Sequence, residues 1–336
     1  MRVAGCDPGT SSLDVLVLDR GTVADQVRFT PDDLRTDPAA PVKWLESRGP
    51  LDLVAAPSGY GLPLVRAADA TDAQLALMSL CRPDDRGGGA AAFSAVVRAF
   101  HDSRLPAHRK VNRIDLGTPD KLAVAALALH HLAGTWPGDG PVCVIELGTA
   151  FSAALVVNER GEVVDGVGGT GGPLGWQSAG AWDGEAAYLL GPLTKADLFA
   201  GGADGLADLE VRRAAYLESL VRTVGGLCGL YDPHDRFAKV VLSGRLFAAE
   251  PVFVESLHLT EALAPFARFS TAVEPLAALP GVWVKEAAQG AALLADGLAG
   301  GAHQPLVGRL RLRDASGTVL DGLTHPRAAA VRARFM

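Results

Sequence analysis

Asp7-Pro8-Gly9-Thr10-Ser11-Ser12 sets one carboxylate, one glycine and three hydroxyls between two short apolar runs. A phosphate group needs several donors aimed at one point, and a tight turn supplies them without ordering long side chains. Gly9 permits close backbone approach, Thr10 and Ser11 can donate hydroxyl hydrogen bonds, and Asp7 can hold Mg²⁺ through water. These are also the residues of an ordinary hairpin turn. The second meander carries the same pattern: Glu146-Leu-Gly148-Thr149 repeats acid, spacer, glycine and hydroxyl. Two such clamps facing each other would hold a polyphosphate between two halves of a molecule, with Asp7 and Glu146 as the metal-side acids. Glu146 is one methylene longer than Asp.

A transferred phosphoryl group asks for charge neutralisation and, with a hydroxyl acceptor, for a carboxylate to orient or deprotonate it. Asp120, beside Lys121 in Gly117-Thr-Pro-Asp-Lys121, is the first candidate, although acids also favour a first helical turn for dipole reasons alone. Asp183, just beyond the glycine-rich stretch Gly168–Gly175, is the second, and it too has the look of a helix start. A carboxylate acceptor needs no base, and Arg113, Lys121 or Lys195 would then matter more as charge clamps. The eight histidines give no HExxH, and the adjacent His130 and His131 read as structural. Ser58 lacks the GxSxG spacing of a nucleophile turn.

Around these residues, Val3–Cys6, Leu13–Leu18 and Val23–Phe29 read as an antiparallel meander, followed by a helix over 40–47 and a strand over 52–56. Loop is expected at 84–89 and helix at 90–100. Thr118 and Pro119 open an Ala- and Leu-rich helix. At Val142 the meander recurs through Val167. Helices follow over 184–190, 211–231 and 255–266, strands over 239–242 and 282–285, and a small-residue helix over 287–298. Alternation around Ser316-Gly317 suggests a terminal hairpin over 308–320. The expected organisation is a duplicated α/β chain with halves 1–139 and 140–301 and a C-terminal hairpin extension over 302–336.

With 336 residues, 49% hydrophobic, 21% charged and a net charge of -7, the chain has the balance of a globular protein with no basic footprint for nucleic acid. Cys6, Cys81, Cys143 and Cys228 are scattered and without CxxC spacing, which fits a reducing cytoplasm. No leader and no membrane-length apolar run is expected. The sequence leaves monomer and homodimer both open.

Together these motifs resemble the superfamily of acetate and sugar kinases, heat-shock chaperones and actin, in which two duplicated ribonuclease H-like domains close on ATP. Cys6–Ser12, 56–63, Asn112–Lys121, Leu242-Ser-Gly-Arg245 and Ala288-Gln-Gly-Ala-Ala292 resemble, in order, a family catalogued as predicted butyrate kinases. The likeness runs from Cys6 to about Gly301. It implies an adenosine-contacting turn at Ser243-Gly244-Arg245, with Gln289-Gly290 opening a helix against it. Arg245 stands where superfamily members commonly carry a second glycine. Gly117–Lys121 is similar to the Gly-Ala-Asp-Arg segment of type III pantothenate kinases. The resemblance implies ATP and Mg²⁺ as cofactors and a small-molecule acceptor such as a short-chain carboxylic acid. The alternatives are an ATP-dependent conformational switch or assembly protein, and a nucleotide site that has lost its activity.

Overall fold

In the computed structural model the described residues are 1–9, 11–56, 59, 64–66, 69–71, 73–74, 77, 80, 106–133, 140–230, 236–269 and 272–335. Thr10, Cys81, the expected loop at 84–89 and the expected helix at 90–100 lie outside them, as does most of 56–63. In chain order the first elements are β1 (Arg2–Pro8), β2 (Leu13–Asp19), β3 (Thr22–Phe29), α1 (Pro31–Thr36), α2 (Ala40–Glu46) and β4 (Leu53–Ala55). Next come α3 (Pro119–His131), β5 (Val142–Leu147), β6 (Ser152–Val157), β7 (Val163–Val167), α4 (Gly184–Leu190) and α5 (Leu209–Cys228). The remainder is β8 (Lys239–Ser243), α6 (Leu246–Ala249), α7 (Pro251–Ser256), α8 (Leu259–Leu263), β9 (Val273–Pro275), α9 (Glu286–Leu298), α10 (Gln304–Arg309) and α11 (Ala328–Arg332).

Among the described residues the strands form two sheets, ordered β3-β2-β1-β4 and β7-β6-β5-β8-β9. Each is an antiparallel meander extended beyond its first strand in parallel, by one strand in the first sheet and two in the second. The copies agree in detail. Asp7 pairs with Asp14 as Glu146 pairs with Ala153, and the register slips at Val17/Leu18 and again at Val156/Val157, the same distance beyond each acid. A bulge repeated at one position in both meanders is strong evidence of duplication. This is the duplicated actin-like α/β fold that the sequence led us to expect.

Side-chain alternation along the strands decides what faces what. Ala4 and Cys6 point to a cluster with residues of α1 and α2, while Val3 joins the central core. Cys143, Ile145 and Leu147 face α5 to α8, while Val142 and Val144 face the central core. Asp7 and Glu146 share the parity of the inward-facing set, so both acids end their strands on the inner side.

The central core holds α3 and α9, helices so rich in Ala, Gly and Leu that almost every residue is buried. Each sheet takes its inner helix from the other half of the chain. α9 lies on β1, β2 and β4, α3 lies on β5 and β6, and the two helices pack on each other. The contacts are backbone-close. A Cβ on Gly5 would lie 2.1 Å from the Ala292 nitrogen, and one on Gly290 would lie 1.7 Å from the Ala123 carbonyl oxygen.

Two local expectations are corrected. The C-terminal hairpin over 308–320 is absent: α10 and a 3-10 turn at Leu312–Asp314 replace it, because Leu306, Val307, Leu310 and Leu312 bury themselves in the central core at helical spacing. Residues 282–285 are not a strand. The amides of Trp283 and Lys285 bond to the side chains of Gln26 and Asp14, and the fifth strand is β9 instead. The structure also shifts the helix expected over 211–231 towards the N-terminus, starting it on an Asp208 cap and ending it at Cys228, and it breaks the helix expected over 255–266 into the end of α7, α8 and a 3-10 turn at Ala264–Phe266.

Gly290→Ala is expected to cost roughly 3 kcal/mol, since the added carbon meets backbone rather than a movable side chain. Chemical denaturation measures it, and an unchanged midpoint would contradict so close a contact between α3 and α9.

Candidate functional site

The two strand-end acids lie beneath two matching turns. Gly9 N–H donates to the Ser12 carbonyl at 3.0 Å, and Gly148 N–H donates to the Phe151 carbonyl at 2.9 Å. Both glycine amides therefore close their own turns, and what the glycines offer a ligand is space. Thr149 is half-buried beside the second turn, and Ser11 is exposed beside the first.

Each acid meets a lysine from the start of the helix that its sheet borrows. Lys285, the residue capping α9, puts Nζ 3.2 Å from Asp7 Oδ2 and donates to the Ser12 carbonyl at 2.9 Å. Lys121, in the first turn of α3, donates to Glu146 Oε1 at 2.7 Å and to Asp120 Oδ2 at 2.5 Å. The lysine pairs are thus related by the same duplication as the sheets. Helix N-termini already carry partial positive charge, so each junction concentrates cationic character against one carboxylate.

The two junctions form one electrostatic cluster. Burial pushes Asp7 up to about 6 against the pull of Lys285, and Asp120, Lys121 and Glu146 all contribute to its field. Burial also raises Glu146, outweighing Lys121. Asp120 goes the other way: the charge and hydrogen bond of Lys121 overcome burial and hold it below the usual carboxylate range. Burial would lower Lys121, but Asp120 and Glu146 together hold its ammonium strongly protonated. Two acids in one cluster are therefore set apart, with Asp120 ionised and Glu146 the easier to protonate.

Glu286, the first residue of α9, is raised by burial and senses Arg245 and Asp7. It ties the turn after β8 to the first junction. That turn is tight: Glu146 is the register partner of Ser243, Gly244 has φ +115°, and a Cβ there would lie 2.2 Å from the Leu147 carbonyl oxygen. Arg245 is half-buried at the start of α6, and the buried Ser243 Oγ has no hydrogen-bond partner.

The structure thus gathers Asp7, Glu146, Asp120 and Lys121 into one cluster, with the Gly9, Gly148 and Ser243–Arg245 turns at the strand ends around it. It does not gather the rest. Asp183 is exposed, and its carboxylate accepts the Glu185 and Ala186 amides as the cap of α4. Gln289 is corrected from a nucleotide contact to a brace: its Nε2 donates to the Val284 carbonyl, and its Oε1 accepts the Leu279 amide. Gly290 is corrected likewise, being buried against the α3 backbone. Arg113 is turned toward the Gly166 carbonyl and Asp165. Lys285 and Glu286 escaped the sequence reading, although Lys-Glu before an Ala-rich helix echoes Asp-Lys before α3.

Among the described residues no three His, Cys, Asp or Glu side chains converge to hold a metal on protein ligands alone. Magnesium does not ask for that. It keeps several waters and takes one or two carboxylates plus phosphate oxygens. The buried Glu146 Oε2, which has no hydrogen-bond partner, and Asp7 opposite Lys285 are hard oxygen donors of that kind, so the residues present fit the ion.

A family model spans residues 5–325 of this chain. The chain belongs to that family, described as "Protein of unknown function (DUF1464)". No curated protein matches it. Among solved structures, a propionate kinase from Francisella tularensis subsp. tularensis SCHU S4 aligns with a TM-score of 0.56 at 12% identity, covering 87% of this chain and 98% of that one. Acetate kinase from Porphyromonas gingivalis gives 0.53 at 14% identity over 86% and 98%, and that of Entamoeba histolytica 0.53 at 11% over 76% and 85%. At such identities the likeness is one of fold. Among the described residues no helix is long and apolar enough to cross a membrane.

The Asp7 carboxyl fixes a pH response. Its folded value of about 6 lies above the ordinary 3.8, so the folded state holds this proton more tightly. The resulting penalty is full above about pH 6 and is relieved progressively as the pH falls from there towards 3.8. Against Asp7→Asn, the wild-type protein should gain up to about 3 kcal/mol between neutral pH and pH 4 in metal-free buffer. Denaturation midpoints across that range measure the gain, and parallel curves for the two proteins would refute a buried, ionised Asp7.

Proposed function

We propose that this protein is an ATP- and Mg²⁺-dependent phosphotransferase acting on a small molecule in the cytoplasm, with a short-chain carboxylic acid such as butyrate as the acceptor. The observation that carries this reading is the pair of matching junctions, each with a strand-end acid, a glycine turn and a helix-borne lysine, joined in one electrostatic cluster between the duplicated sheets. Phosphoryl transfer needs little covalent chemistry from the protein and much placed charge. The cluster supplies that charge with both signs.

In this scheme the two turns flank the β- and γ-phosphates, with Asp7 and Glu146 on the metal side. A bound Mg²⁺ supplies charge neutralisation to the phosphates. Ser243, Gly244 and Arg245 flank the nucleoside, and Arg245 presents a planar cation for a base or a phosphate. Lys121 holds positive charge where negative charge develops in the transition state. A carboxylate acceptor is already ionised and needs no base, so Asp120 orients Lys121. With a hydroxyl acceptor, Asp120 would instead be the ionised group that takes the proton. The resemblance to predicted butyrate kinases favours the carboxylate, and three fold neighbours are named as acetate or propionate kinases.

With ATP and Mg²⁺, purified protein should convert butyrate or propionate to an acyl phosphate that hydroxylamine traps as a hydroxamate. Lys121→Met should lower turnover roughly 100-fold or more. The proposal fails if neither carboxylic nor hydroxyl acceptors draw phosphate from ATP under these conditions.

One observation favours the second reading, a nucleotide-driven switch that engages another protein surface. On α4, Tyr188 is 79% exposed, Leu189 79% and Leu190 61%. Consecutive large apolar residues on the surface mark contact sites more often than scattered ones do. Under that reading Mg²⁺·ATP changes the sedimentation coefficient and Leu189→Glu removes the change. A coefficient indifferent to nucleotide counts against it.

A further inference from the structure

The placement of Lys285 goes beyond an ordinary ion pair. Its side chain is 8% exposed, and its ammonium is held by Asp7 Oδ2 at 3.2 Å and the Ser12 carbonyl at 2.9 Å. Its backbone amide is fixed separately by Asp14 Oδ2 at 2.9 Å, and Asp14 is itself held by Arg28 and Ser12. A Cβ on Gly9 would lie 2.3 Å from Nζ, so a side chain there would push the ammonium aside. The lysine tip therefore fills the space under the first turn, against Asp7 Oδ2 and Gly9.

A buried lysine paired with a buried carboxylate is a poor way to stabilise a fold, because desolvation of both charges offsets most of their attraction. An anchored backbone and an unbranched four-carbon stem, in contrast, suit a cation that can change partners without moving the helix behind it. Its one hydrogen bond goes to the Ser12 carbonyl, and Asp7 holds it as an ion pair. Asp7 cannot serve this ammonium and a divalent cation on the same oxygen, since two positive charges a few ångströms apart in a buried site repel strongly.

We propose that Lys285 is a phosphate-binding residue held on Asp7 in the nucleotide-free protein, where it takes the place of the divalent cation. The assignment rests on the phosphotransferase reading of this cleft. Lys285 and the metal exclude one another at Asp7, and the ammonium freed by the metal belongs to the phosphate oxygens beside Gly9. Lys121, shared between Asp120 and Glu146, is its counterpart in the second half but has two carboxylates to hold it. The duplicated site is thus asymmetric, with the first-half lysine the one able to leave.

Calorimetric titration with Mn²⁺ alone and with inorganic pyrophosphate tests this on the full chain. Lys285→Met should bind Mn²⁺ at least about tenfold more tightly than wild type without nucleotide, because a like charge is gone. It should bind pyrophosphate about 10- to 100-fold more weakly, the usual loss for a charged hydrogen bond. Affinities within about twofold of wild type for both probes would overturn the assignment. Asp7→Asn gives an independent arm in the presence of EDTA: releasing the ammonium should strengthen pyrophosphate binding, and an unchanged or weaker affinity would also overturn it. If Lys285→Met does not fold, as judged by circular dichroism, the Asp7→Asn arm decides alone. Should wild type fail to bind ADP with Mg²⁺ while Lys285→Met gains Mn²⁺ affinity, the phosphotransferase reading falls and the exclusion at Asp7 stands. Turnover by wild type with the affinities of both variants unaltered does the reverse: the phosphotransferase reading stands and the exclusion at Asp7 falls.

Discussion

Two helices of small residues, each borrowed by the opposite sheet, set the geometry of everything else. α3 and α9 approach closely enough for Gly290 to touch the α3 backbone and for Gly5 of β1 to touch the α9 backbone. A helix pair packed so tightly between two sheets fixes where its N-termini emerge, and they emerge at the ends of β5 and β1. The acids that close those strands therefore meet cationic helix starts rather than water.

From this follows the character of the charge cluster. Buried acids left alone would take up protons, and burial pushes Asp7 in that direction. Lys285 and Lys121 limit that tendency, one at each junction, and the balance differs between the halves. Asp120 is depressed while Glu146 is raised, although the same lysine touches both. Besides Lys121, Asp120 is favoured as an anion by hydrogen bonds from the Thr118 side chain and its own backbone, whereas Glu146 also feels the like charges of Asp120 and Glu286.

The connection between the halves also bears on movement. A site assembled from elements of both meanders must respond when the meanders shift, and the crossed helices make each sheet carry part of the other's machinery. Nucleotide-driven closure of two halves is a hinge motion of the kind that such an arrangement can support. The same geometry would serve transfer chemistry or a switch, which is why the acceptor side of the cleft matters more to function than the fold does.

Much of this was legible in the residues themselves. Strand periodicity, the paired acid-and-glycine turns and the Ala-rich helix opening at Pro119 are local signals that survive into the folded state, although Thr118 makes no side-chain cap there. The sequence alone determined the duplicated meanders and marked Asp7, Glu146, Asp120 and Lys121. It could not show that Gln289 braces the loop before α9, that Asp183 is occupied as a cap, or that alternating Leu310-Arg-Leu-Arg313 sits in a helical segment, since burial partners far along the chain decide each case. Nor could it pair Lys285 with Asp7. Their separation in sequence is closed only when α9 crosses to the first sheet, and that crossing is a property of packing, which no spacing between residues records.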